Sequence, residues 1–147
     1  MLSTAPGRDK VTTRRTPARL ALLVMVLGLA CRPDASTPRG TAERFLDAHY
    51  VRIDLPAALP FTSGLARHKV EEELRLVQGQ EIDETTRKPM VRYALLEEHP
   101  DGDAVVRFVY RGTILVEDAD RLERRWMVTV RREGADWRVT NYEELGE

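Results

Sequence analysis

The side chains through which this sequence could act on a ligand are three histidines, four tyrosines, two tryptophans and a single cysteine. His49 is the foremost acid–base candidate. It falls in an apolar stripe with Ala42, Phe45, Leu46 and Ile53, at helical spacings of three and four. An imidazole there could serve as a general base if a carboxylate fixed its tautomer. Asp47 is the nearest carboxylate, but residues two apart on a helix point in different directions. The alternative is a partly buried histidine whose nitrogens the fold itself satisfies. His68 stands between Arg67 and Lys69 and reads as solvated, and His99 falls in a turn. Tyr50, Tyr93, Tyr110, Trp126 and Tyr142 could line a cavity and offer donors to a ligand. The competing reading is an aromatic core whose hydroxyls reach the rim.

Other chemistries find no support. The histidines form no His-x-x-x-His pair, and no second cysteine is present. Asp101-Gly102-Asp103 is too short for a calcium loop. Ser3, Ser36 and Ser63 lie in no Gly-x-Ser-x-Gly elbow, and no glycine-rich phosphate loop occurs. Neither a metal nor a cofactor is expected. The net charge of −1 conceals an asymmetry. Residues 1–30 hold five basic residues and one acid, +4, whereas the rest holds 18 basic and 23 acidic residues, −5. A mildly acidic domain has no surplus of cations to displace the counterions of nucleic acid, so no nucleic-acid partner is expected.

Cys31 demands its own account. A lone cysteine cannot close an internal disulfide. It follows Leu20–Ala30, eleven uncharged residues (LALLVMVLGLA), with Arg14, Arg15 and Arg19 ahead of them. As a helix the run would span only about half of a hydrocarbon core about 30 Å thick. Its length and basic lead-in suit a signal peptide over residues 1–30. Leu27-Gly28-Leu29-Ala30-Cys31 resembles the bacterial lipobox, in which small residues precede a lipid-bearing cysteine. Ala30 matches the residue before the cut; Gly28 stands where leucine is usual. The resemblance implies a thioether-linked lipid on Cys31 and a protein of the bacterial cell envelope, anchored to a membrane and facing the periplasm or the exterior. Several acyl chains there would exceed the two signals needed for stable anchoring. Arg14-Arg15 is followed by Thr16-Pro17, not by the hydrophobic pair of a twin-arginine signal, so the general secretory route is expected.

The remaining elements follow from periodicity. Residues 31–39 read as a polar tether with two prolines, and 40–147 as one domain. Thr37 and Pro38 suit the start of a first helix. Asp54 suits the cap of a short second helix through Leu59, which Pro60 ends. Thr62-Ser63-Gly64 opens a third, with Leu65, Val70, Leu74 and Val77 expected inside and Gly79 ending it. Glu71-Glu72-Glu73 reads as solvated. After a polar loop over 80–88 the period falls to two. Strands are expected from Met90 to Glu98, from Ala104 past a Gly112 bulge to Glu117, from Leu122 to Val130, and from Trp137 to Tyr142. Turns fall at 99–103 and 133–136, and Asp118–Asp120 breaks the chain between the middle strands. In the last strand Trp137, Val139 and Asn141 are set on one face, and Arg138, Thr140 and Tyr142 on the other. Helices first and consecutive hairpins afterwards predict an α+β fold, its helices covering one face of a curved antiparallel sheet.

That order resembles the nuclear transport factor two-like superfamily, with its cystatin-like cone. Three passages carry the resemblance: Ala42-Glu43-Arg44-Phe45-Leu46-Asp47-Ala48, Asp54-Leu55-Pro56-Ala57-Ala58-Leu59, and Trp137-Arg138-Val139-Thr140-Asn141-Tyr142. It implies a cone-shaped cavity that holds a small, hydrophobic ligand in many members. In the enzymatic members a His or Asp inside the cone acts as general base. Two functions therefore stand side by side. One is a lipid-anchored module that binds a small ligand or an envelope protein, with a homodimer left open. The other is an isomerase- or dehydratase-like enzyme using His49.

Overall fold

Thr37 begins the first helix in the way its residue type dictates: its side chain accepts from the Gly40 amide, and Pro38 sits where a missing N–H is harmless. The computed structural model describes residues 34–79, 88–117 and 121–146. The signal peptide read over 1–30, Cys31, the 80–87 stretch and the break at 118–120 lie outside the described residues. Helix α1 runs Pro38–Leu46 and passes into a π-helical turn, Asp47–Val51. Asp54 caps the four-residue α2, Leu55–Ala58, through the Ala57 amide. A 3₁₀ turn, Leu59–Phe61, leads to α3, Gly64–Val77.

Four strands follow: β1 (Met90–Asp101), β2 (Val105–Leu115), β3 (Leu122–Glu133) and β4 (Asp136–Leu145). They form one antiparallel sheet in the order β1-β2-β3-β4. Helix α1 packs against β2, β3 and β4, and α3 against β4. The core lies between, built on Phe45, Leu46, Val70, Phe108, Tyr110, Trp126, Val128, Val130 and Val139, all buried. Three helices on one face of an open four-stranded sheet make the α+β architecture expected from the sequence.

Several local expectations are corrected. Ile53 does not extend the α1 stripe. The π turn adds a residue, closing through Arg52 N–H to Asp47 O, so the register shifts. Ile53 is left exposed with φ 55°. In α3, Leu65 and Val77 face solvent; the buried stripe runs through Ala66 and Val70 to Leu74. Ser63 occupies the cap position of α3, yet its hydroxyl donates to Glu133 instead of capping. Strand β1 extends through His99 to Asp101, which confines the turn to the Gly102 region, where Gly102 has φ 67°.

The expected bulge at Gly112 is absent. Gly112 pairs regularly with Tyr93 and Arg124 inside a continuous β2. What requires glycine there is the Trp126 ring, which lies so close that any Cβ would collide with it. The bulges fall elsewhere. One leaves Leu96 unpaired between Leu95↔Tyr110 and Glu97↔Val109, and one leaves Thr140 unpaired between Val130↔Val139 and Thr129↔Asn141. Each extra residue reverses the alternation of faces and bends its strand. The face assignment in β4 is corrected accordingly: Tyr142 joins Val139 on the inner, buried face and does not lie opposite to it.

Candidate functional site

His49 continues the buried stripe of Ala42, Phe45 and Leu46 into the π turn. Ala48 and His49 are consecutive and both buried, and Tyr50 beside them is half-buried. The imidazole is 9% exposed and lies among three rings, with centroids 5.1 Å from Phe45, 4.4 Å from Tyr50 and 4.9 Å from Tyr142. Tyr50 in turn stacks on Trp126 at 4.2 Å and 15°. Gly112, which has no side chain, leaves room for that indole.

The carboxylate that orients His49 is Glu73 of α3, not Asp47. His49 Nε2 and Glu73 Oε2 are 2.6 Å apart, and the Tyr142 hydroxyl donates to Glu73 Oε1, also at 2.6 Å. One carboxylate thus ties the π turn to α3 and to β4. An ionised carboxylate only accepts, so Nε2 carries the proton and Nδ1 keeps a lone pair. Nδ1 is buried and has no hydrogen-bond partner among the described residues. Burial holds the imidazole below its ordinary value of 6.5, and the Glu73 charge and hydrogen bond oppose this without overcoming it. The contact is therefore a hydrogen bond from a neutral imidazole and not an ion pair. Burial, then the Glu73 hydrogen bond, pushes the Tyr142 phenol above its usual range. Lys69 completes the edge: its ammonium donates to Asn141 Oδ1 at 2.9 Å and Tyr142 O at 2.7 Å, and lies 5.2 Å from the centre of the Tyr142 ring.

The remaining candidates divide. Tyr50, Trp126 and Tyr142 join His49 in one cluster. Tyr93 and Tyr110 pair with each other at 5.7 Å, nearer the middle of α1. The Tyr93 hydroxyl donates to Asp47 Oδ1 at 2.9 Å, which engages the carboxylate the sequence offered to His49. The Tyr110 hydroxyl is buried without a partner among the described residues, and burial raises its phenol well above the usual range. His68 and His99 are exposed, beside Glu72 and Glu97. Among the described residues no three His, Cys, Asp or Glu side chains gather as a metal site. Cys31 lies outside the described residues.

Sequence reasoning missed Glu73, taken with Glu71 and Glu72 as a solvated run. A signal was present: Glu73 lies three residues after Val70 and seven after Ala66, on the buried stripe of α3. An acid on an inward stripe requires a partner.

Comparison with known proteins bears on the architecture. No protein-family model matches the chain, and no curated protein matches it by sequence. Solved structures do. A Thiobacillus denitrificans ATCC 25259 protein named for the calcium/calmodulin-dependent protein kinase type II association domain superposes with a TM-score of 0.57 at 15% identity, covering 74% of this chain and 93% of that one. An NTF-2 like protein of unknown function from Shewanella oneidensis MR-1 gives 0.52 at 11%, covering 71% and 92%. The fold is nuclear transport factor two-like. Agrobacterium tumefaciens VirB8 gives 0.51 at 13%, covering 73% of this chain and 88% of that chain. At such identities the likeness carries the nuclear transport factor two-like cone and no activity.

Proposed function

We propose that this protein is a lipid-anchored binding or interaction module of the bacterial cell envelope, held to a membrane through Cys31 and displaying a nuclear transport factor two-like cone to the periplasm or exterior. The anchor half of the reading rests on the Leu27–Cys31 passage and the basic lead-in. The observation that weighs against catalysis by His49 is its burial among the domain's own rings. His49 lies among Phe45, Tyr50 and Tyr142, and its Nε2 is committed to Glu73. A general base must reach the proton it removes to within about 3 Å, and the free Nδ1 is walled off. Native mass spectrometry of the protein purified from its own host, with pull-down from that host's envelope, tests the binding role. The reading predicts a retained small molecule or a specific envelope protein. A clean monomer that captures neither contradicts it.

A second reading, an isomerase- or dehydratase-like enzyme, is favoured by one specific feature: an imidazole oriented by a carboxylate, with its other nitrogen unprotonated and unpartnered. It requires Tyr50 to swing off Trp126 and open a path to Nδ1. Proton exchange from small ketone substrates, lost in His49→Gln and retained in Tyr50→Ala, is its signature. Equal exchange by wild type and His49→Gln removes it.

A further inference from the structure

A second site lies away from the His49 cluster, where the Leu96 bulge of β1 faces the end of β4. An open cleft of about 580 Å³ is lined there by Leu96, Arg111, Arg124, Arg125, Glu144 and Leu145, among others. Its volume falls within the range of small-molecule sites, about 300–1,000 Å³. We propose that this cleft binds an oxyanion carrying a short apolar chain, its charged head on the Arg111 guanidinium and its chain along Leu96 and Leu145.

The charges in the cleft are not equivalent. Arg124 is paired with Glu144 at 2.9 Å, and Arg125 with Glu97 at 3.3 Å. Glu123, on the same wall, is engaged by Arg121. Arg111 has no hydrogen bond or ion pair among the described residues. It also stands directly opposite Arg125 across β2 and β3. Like charges at such a position are destabilising, and Glu97 offsets Arg125 while Arg111 keeps no counter-charge of its own among the described residues. A planar guanidinium with an unused fork is suited to phosphate or carboxylate, which it takes through two parallel hydrogen bonds. The bulge sets the apolar wall. It turns Leu96 out of the sheet alternation and leaves it 43% exposed beside these cations. Leu145, the Cα partner of Arg125, lines the cleft too. Cation and hydrocarbon on adjoining walls match an amphiphilic anion and not a bare ion.

Isothermal titration of the full chain in a nonionic detergent with hexyl phosphate tests this, with titrations into detergent alone subtracted. Saturable binding at one site is expected. Inorganic phosphate should bind more weakly, and hexyltrimethylammonium should not saturate. Arg111→Leu should weaken hexyl phosphate by roughly tenfold or more, the loss of hydrogen bonds to a charged group, while Arg111→Lys keeps inorganic phosphate binding. Leu96→Glu, at an exposed position that leaves the core untouched, should weaken it similarly by placing an acid beside the head. Competition by dihexanoylphosphatidylglycerol assigns a lipid headgroup as the source, and its failure to compete assigns a soluble acid; both uphold the site. Absence of saturable binding, equal binding of the cationic probe, or unchanged affinity in folded Arg111→Leu or in Leu96→Glu overturns the proposal.

Discussion

Replacing Glu73 by alanine removes the group on which the His49 cluster hangs. Its carboxylate accepts from His49 Nε2 and from the Tyr142 hydroxyl, both at 2.6 Å. Without it both imidazole nitrogens are unsatisfied, Nδ1 having no partner to begin with. Leaving a buried donor unpaired costs about 1–3 kcal/mol. The Tyr142 hydroxyl loses about 1 kcal/mol net, part of which water can restore in the vacated space. The Glu73 side chain is 38% exposed, so solvent screens its charge and no separate ionic contribution is added. The expected loss is about 2–3 kcal/mol, a melting temperature lower by roughly 8–15 °C. Glu73→Gln keeps one acceptor oxygen and should lose about half as much. Urea unfolding followed by circular dichroism measures both, with the slope checked for a constant denatured state. Glu73→Ala within about 0.5 kcal/mol of wild type, the range of ordinary surface substitutions, would show that Glu73 does not hold His49 and Tyr142, and the site as described would fail.

Gly112→Ala drives a Cβ into the Trp126 ring inside a continuous strand, so it should destabilise by about 1–3 kcal/mol. Gly112→Ala combined with Trp126→Leu should cost less than the two changes summed; strict additivity in a double-mutant cycle counts against the contact. Because the folded value of His49 lies below its ordinary 6.5, the unfolded chain takes up that proton first. Stability should therefore fall as pH drops below about 6.5, with a slope of at most about 1.4 kcal/mol per pH unit, and His49→Leu should remove that component. A flat wild-type profile from pH 6.5 to 5, read by urea midpoints, excludes a buried neutral His49. Tyr50, Tyr93, Tyr110 and Tyr142 are all raised, burial first, above an ordinary value of 10. Their stabilisation is present below pH 10 and is lost as pH rises beyond it, so phenolate absorbance should appear together with unfolding. Phenolate absorbance in the folded protein near pH 10 contradicts that burial.

The architecture was legible in the sequence because it is written in periods and punctuation. Thr37-Pro38, Asp54 and the change from period four to period two name the helices, and the helix-then-hairpin order names the α+β layers. Local details that depend on tertiary fit were not legible. Alternation alone put Tyr142 on the wrong face, because the Thr140 bulge is imposed by pairing with β3 and leaves no residue signature. Gly112 looked like a bulge because a glycine in a strand marks either a bulge or a close approach, and only the partner, Trp126, decides which. The candidate site was half legible. His49, Tyr50, Trp126 and Tyr142 were named from residue type, but the only carboxylate weighed for His49 was Asp47, which its helical spacing already set aside. The true partner sits 24 residues away on α3, and its position on the buried stripe with Ala66 and Val70 was the usable clue.

Lipid anchoring requires Cys31, and growth of the host with labelled palmitate tests it most directly. The protein, recovered by immunoprecipitation and run on a denaturing gel, should carry label in the wild type. It should carry none in Cys31→Ser, since a hydroxyl cannot form the thioether. Acyl chains add about 0.8 kcal/mol of membrane affinity per buried methylene, so the labelled band should also partition into detergent. Label absent from the wild type, or unchanged in Cys31→Ser, would contradict the lipid-anchored reading.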